Sequence, residues 1–142
     1  MTRRSIAAVA GAVMLTGSIV AQEPPRGSAP RPSIETVKDV MRVLTVPSSD
    51  AVFKAAADPP VRAADWAALR QQAATLVESA DLLLAPKYAV KEDAWRTLAQ
   101  SHRTAAVAAQ KAVEKQDPEA LSTASDALYE ECSNCHARYL KD

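Results

Sequence analysis

The chain has 142 residues, 17 basic and 17 acidic, and no net charge. That length holds one domain with a core of ordinary size, and the even balance offers no field for a polyanion such as nucleic acid. Only three glycines occur, Gly11, Gly17 and Gly27, and aromatics are 4% of the chain, so an alanine-rich, glycine-free body favours helices over turn-rich β structure.

Residues 1–21 read as an export signal. Arg3 and Arg4 precede an uncharged, mostly apolar run from Ile6 to Val20, with Ala21 as the expected cleavage position and Ser18 as a second. The run is shorter than the ~20 residues of a membrane span. Its removal takes two arginines and no acid, leaving 15 basic against 17 acidic residues in an exported, mildly acidic chain without a stable membrane span. Residues 22–33 carry Pro24, Pro25, Pro30 and Pro32 beside Gly27 and Ser28, the composition of an extended tether.

Four helical stretches follow across residues 34–142. In the first, Ile34, Val37, Met41 and Leu44 recur at spacings of three and four, with Ser33 as N-cap and Glu35 in the first turn. Pro47 is expected to interrupt it, with Ser48 or Ser49 capping a short continuation to about Ala57 before Asp58-Pro59-Pro60 ends it. The second runs from about Arg62 to Leu84 on a seam of Trp66, Leu69, Ala73, Leu76, Ala80 and Leu83. The third spans roughly Lys91 to Gln116, with Trp95, Leu98, His102, Ala105, Ala109 and Ala112 facing inward. Asp117-Pro118-Glu119 opens the fourth as cap, first residue and dipole-matched acid, and its seam is Leu121, Ser125, Leu128, Cys132, Cys135 and Tyr139. Amphipathic helices on short links must share their apolar faces, which predicts an all-α, antiparallel four-helix bundle.

The chain's two cysteines and one of its two histidines fall together as Cys132-Ser133-Asn134-Cys135-His136. On a helix, residues i, i+3 and i+4 share a face. That arrangement suits covalent haem c, the two thiols adding to the vinyl groups and the imidazole ligating iron. A structural zinc site wants about four ligands, and a second cysteine pair is missing. A thioredoxin-like dithiol wants its pair at a helix N-terminus after a strand, whereas this pair falls late in a helix. The motif is therefore read as the attachment site of one haem per chain, with His136 as an axial iron ligand. For the other axial position the expected mature chain offers Met41, its sole methionine, and His102, its sole other histidine. Met41 reads equally as pocket packing, His102 as an edge-of-core residue, and a lysine ligand or a five-coordinate iron stay open.

With Cys132-x-x-Cys135-His136-x-x-Tyr139 near the end of a fourth helix, the stretch from Ile34 to Lys141 resembles the class II cytochromes c, the cytochrome c-prime family. The segments around Val40-Met41, Asp65-Trp66, Leu82-Leu83-Leu84 and Trp95 look like an exported subgroup of it. The resemblance implies thioether bonds at Cys132 and Cys135, His136 as proximal ligand, and a distal residue from the first helix at or near Met41. Family members with an aliphatic distal residue keep five-coordinate iron and bind gases such as nitric oxide, while those with a first-helix methionine are six-coordinate and look like electron carriers. Met41 tilts the expectation to a periplasmic or otherwise exported single-electron carrier, with gas binding as the alternative. No catalytic triad or paired-carboxylate site is present, so an enzyme is not expected. The expected partners are redox proteins. Family members often dimerise through their first two helices, and the seam from Trp66 to Leu83 suits either that contact or the internal core. Arg138 and Lys141 read as propionate partners or as solvated helix-end cations.

Overall fold

The computed structural model describes residues 33–140. The expected signal at 1–21, the tether apart from Ser33, and Lys141 lie outside the described residues. Four helices make up the fold, and among the described residues there is no strand. Helix α1 (residues 37–57) joins Val37–Val40, a π-helical turn at Met41–Thr45, and Val46–Ala57 without a break. Helices α2 (Ala63–Leu84), α3 (Asp93–Lys115) and α4 (Pro118–Tyr139) follow on short links.

Helix α1 departs from expectation in two ways. Its N-cap is Thr36 and not Ser33, because Thr36 and Asp39 satisfy each other's backbone. The Asp39 N–H donates to Thr36 Oγ1 at 3.2 Å, and the Thr36 N–H donates to Asp39 Oδ2 at 3.1 Å. Pro47, in turn, does not stop the helix. A proline inside an α-helix lacks the N–H for its bond and clashes with the carbonyl four residues back. Here the preceding turn is widened, with the Val46 N–H bonded to the Met41 carbonyl five residues back, and the helix passes through. Ser48 and Ser49 cap nothing; their hydroxyls donate back along the helix, Ser48 to the Leu44 carbonyl and Ser49 to the Val46 carbonyl at 3.1 Å.

The widened turn also changes which face is buried. Val40, Thr45, Ser48, Ser49, Val52 and Ala55 point inward, while Met41 and Leu44 of the expected seam are half-buried. In α2 the reading holds throughout, with Trp66, Leu69, Ala73, Leu76, Ala80 and Leu83 all buried. Helix α3 ends at Gln116, whose φ of 53° lies in the left-handed region that glycine usually fills. Asp117 caps α4 as expected, accepting from the Ala120 N–H at 3.0 Å.

Two packed clusters hold the bundle. The larger centres on Val52, Leu76, Val113, Leu121 and Leu128, each 0% exposed, and buried alanines such as Ala73, Ala106 and Ala109 let the helices approach closely. The smaller joins Val40, Leu83, Trp95 and Ala99, with Met41 and Tyr139 packed at its edge. Helix α3 packs against both α2 and α4. The Val46–Ala57 part of α1 presses on α2 and α4, whereas its earlier part rests on α2. Ahead of Val46 a space is thus left between α1 and α4, and it carries the candidate site.

Candidate functional site

A cavity of about 380 Å³ lies between α1 and α4, with α3 along its base and Leu83 of α2 at its side. Helix α4 contributes Cys132, Cys135 and His136 to its wall, α1 contributes Met41, and α3 contributes His102. The cysteine motif and both candidate distal ligands therefore meet at one cavity, although Met41 and His136 stand 95 positions apart in the numbering. The volume falls within the range of small-molecule and cofactor sites, about 300–1,000 Å³.

Local structure places each of these side chains. Asp117 fixes the start of α4, and its regular geometry puts Cys132 and Cys135 one turn apart on the cavity side, both half-buried, with His136 on an exposed flank. Met41 opens the π turn of α1, so its direction depends on the same widening that admits Pro47. Met41, Trp95, Cys135 and His136 also line a shallower hollow, shared with Lys38 and Tyr139, whereas His102 and Cys132 line only the larger cavity.

Trp95, on α3, braces the site through two contacts, one to α2 and one to α4. Its Nε1 donates to the Leu83 carbonyl at 2.8 Å, tying α3 to α2, and its ring meets that of Tyr139 edge-on. Tyr139 in turn donates to Glu92 Oε2 at 2.9 Å. Arg138 spends its charge nearby, 3.6 Å from the same carboxylate and over the Tyr139 ring. The far end of the cavity is closed by Phe53 and Tyr129, with ring centroids 6.4 Å apart. Sequence reasoning missed this pair because it treated the helix beyond Pro47 as a separate short piece. Ser49 and Asp50 of α1 were missed for the same reason, and Thr45 because it stood beside the expected break; the signal was the four-residue spacing continuing from Thr45 through Ser49 to Phe53.

The titratable groups differ in kind. Burial first, and then the neighbouring Cys135 and Glu131, push the Cys132 thiol above its ordinary range; burial and Glu131 do the same to Cys135. Both sulfurs are thus protonated at neutral pH. His102 is 5% exposed, and burial, with a smaller contribution from His136, holds its imidazole below the usual histidine pKa and so neutral. Among the described residues its Nε2 is the buried side-chain nitrogen or oxygen atom without a hydrogen-bond partner. Such an atom costs about 1–3 kcal/mol when left unpaired, and its presence calls for a physical reason.

Among the described residues no group of three or more His, Cys, Asp or Glu side chains is gathered as a cage for a bare metal ion. No helix among them is long and apolar enough to cross a membrane. Comparison of the chain with protein-family models, with curated proteins and with solved structures finds no match.

Proposed function

We propose that this chain is an exported c-type cytochrome of the cytochrome c-prime kind, which holds one covalent haem and carries single electrons. The observation that supports this most is the convergence of Cys132, Cys135 and His136 from α4 with Met41 from α1 on one cavity. The donor set fits the group. The thiols are reduced and protonated, as each must be to add across a vinyl double bond, its sulfur to one carbon and its hydrogen to the next. Leu83, Trp95, Leu98 and Ala99 provide apolar wall for the flat faces of a porphyrin. The unpaired Nε2 of His102 accords with an occupant that offers more than hydrocarbon.

A bound haem would supply a one-electron ferric/ferrous couple, and the chain would supply its position and surroundings. In this reading Cys132 and Cys135 would anchor it, and His136 from α4 and Met41 from α1 would be its iron ligands. Thioether ligation and an apolar wall raise the potential, while the exposed flank at His136 leaves a short path for electrons to a redox protein. Export to an oxidising compartment accords with attachment of haem before the two thiols can pair. The resemblance to the family rests on the motif, on the trailing Tyr139 and on the helical layout.

The test is co-expression of the full chain with a c-type haem attachment system, followed by haem staining of a denaturing gel and by ferric and ferrous absorption spectra with and without carbon monoxide. A low-spin spectrum with a near-infrared thioether-to-iron band, indifferent to carbon monoxide, is expected. A colourless protein overturns the haem reading. A high-spin ferrous protein that takes up carbon monoxide moves the function to gas binding.

A further inference from the structure

We propose that His102 is a second ligand for the same iron, its Nε2 taking the sixth position whenever the Met41 thioether leaves it. The inference rests on the haem reading above and deepens it. It starts from a contrast among the buried polar groups. Thr45 Oγ1 donates to Ser79 Oγ at 3.1 Å, and Ser79 Oγ donates to the Leu76 carbonyl at 2.8 Å. Ser48 and Ser49 bond to carbonyls of their own helix. Every one of these hydroxyls has a partner inside the protein, and the His102 Nε2 has none.

Nor does the surrounding chain withhold a partner by accident of crowding. His102 shares its cavity with the hydroxyl side chains of Thr45 and Ser49 and with the carboxylates of Asp50 and Glu131, yet it bonds to none of them. Thr45 bonds to Ser79 of α2 and Ser49 to its own helix, and neither carboxylate bonds to the imidazole, which leaves an unpartnered imidazole nitrogen beside the occupant's space. The apolar edges of a porphyrin offer such a nitrogen no partner and its propionates accept only from an N–H, whereas an iron with an open sixth position takes the nitrogen lone pair itself.

The two candidate ligands are also held differently. Met41 sits half-buried in the widened turn of α1, in the part of that helix that rests on α2. His102 stands in the middle of the regular helix α3, buried, with α2 on one side and α4 on the other. A flexible thioether on an irregular turn and a fixed imidazole on a rigid helix thus share one cavity with His136. If the Met41 thioether left a bound iron, the lost iron–sulfur bond would be replaced by one from the His102 Nε2 lone pair, with no change of oxidation state and with the attachments at Cys132 and Cys135 intact.

The experiment is ligand replacement in the haem-loaded full chain. Met41→Ala should lose the near-infrared thioether band yet stay low-spin and indifferent to carbon monoxide, and its reduction potential should fall, since nitrogen favours the ferric state relative to a thioether. Adding His102→Phe to Met41→Ala should give a high-spin protein that binds carbon monoxide. A Met41→Ala protein that is high-spin and takes up carbon monoxide with His102 in place overturns the inference, and that variant leaves the buried histidine untouched, so the result stands even if the double variant folds poorly. Should His102→Phe alone turn the wild type high-spin, His102 is the resident ligand; its reach to iron is supported and the assignment of Met41 falls. A wild type without covalent haem on a denaturing gel removes the haem reading itself and this inference with it, an outcome distinct from any spectrum.

Discussion

Trp95 and Tyr139 stand edge to face, ring centroids 5.0 Å apart and planes at 74°, at the point where α3 begins and α4 ends. Because Trp95 also donates to the Leu83 carbonyl, one side chain links α2, α3 and α4 beside Cys135 and His136. Trp95→Phe keeps an aromatic edge but removes the donor from a buried carbonyl. We expect a loss of about 2 kcal/mol in urea denaturation, the order of a buried hydrogen bond with its partner left unpaired. A change below ~0.5 kcal/mol would mean that the bond carries no weight here.

Met41 and Pro47 are coupled through the turn between them. The five-residue bond from Val46 to the Met41 carbonyl exists beside a proline that an unwidened helix rejects. Pro47→Ala removes that reason and lets the turn tighten, rotating Met41 relative to the rest of α1. The bundle should be as stable as before or more so, while on the proposed haem ligation the near-infrared thioether band should weaken or vanish. A variant that keeps the full band would show that the widened turn does not set the direction of Met41.

Much of this was legible in the sequence, for reasons that differ from element to element. Helix α2 follows from its spacing alone, because Trp66 to Leu83 repeats without interruption and each seam residue is buried. The start of α4 follows from Asp117-Pro118, since cap chemistry is local. Helix α1 does not follow in this way, because its course depends on a non-local matter. Pro47 reads as a break unless the chain can widen the preceding turn, and packing against α2 and α4 is what makes the continued helix worthwhile. The convergence of Met41 and His102 on the cysteine motif belongs to tertiary structure; composition made them candidates only by their scarcity. The unpaired nitrogen of His102 has no signature in sequence at all. A periodicity count treats every inward position alike, yet Leu98 on the same seam is only half-buried while His102 is buried.

Gln116 holds φ at 53° to end α3, in a chain that has no glycine beyond Gly27. The left-handed conformation costs a residue with a Cβ about 1–2 kcal/mol, and glycine escapes that cost while losing more freedom from the unfolded chain. Gln116→Gly should therefore stabilise the bundle by up to about 1 kcal/mol, seen as a higher urea midpoint at unchanged slope. Gln116→Val, β-branched and ill suited to this region, should destabilise it. Equal midpoints for the two variants would contradict this account of the helix end.

The buried His102 also gives the haem-free chain a dependence on pH. Burial and the neighbouring His136 lower its pKa from the ordinary value of 6.5, and Asp50 and Glu131 on the same cavity do not bond to it. Below pH 6.5 the unfolded chain takes up a proton at this residue that the folded chain resists, so the unfolded state binds more protons and folding loses stability as the pH falls. The contribution is whole above pH 6.5 and is lost through the folded-state pKa below it, with a slope of at most about 1.4 kcal/mol per pH unit. Urea denaturation of the haem-free protein from about pH 7.5 downward should show this decline, and His102→Leu, which removes the titrating group, should flatten it. Parallel profiles for the two proteins would show that His102 is protonated as readily in the fold as out of it.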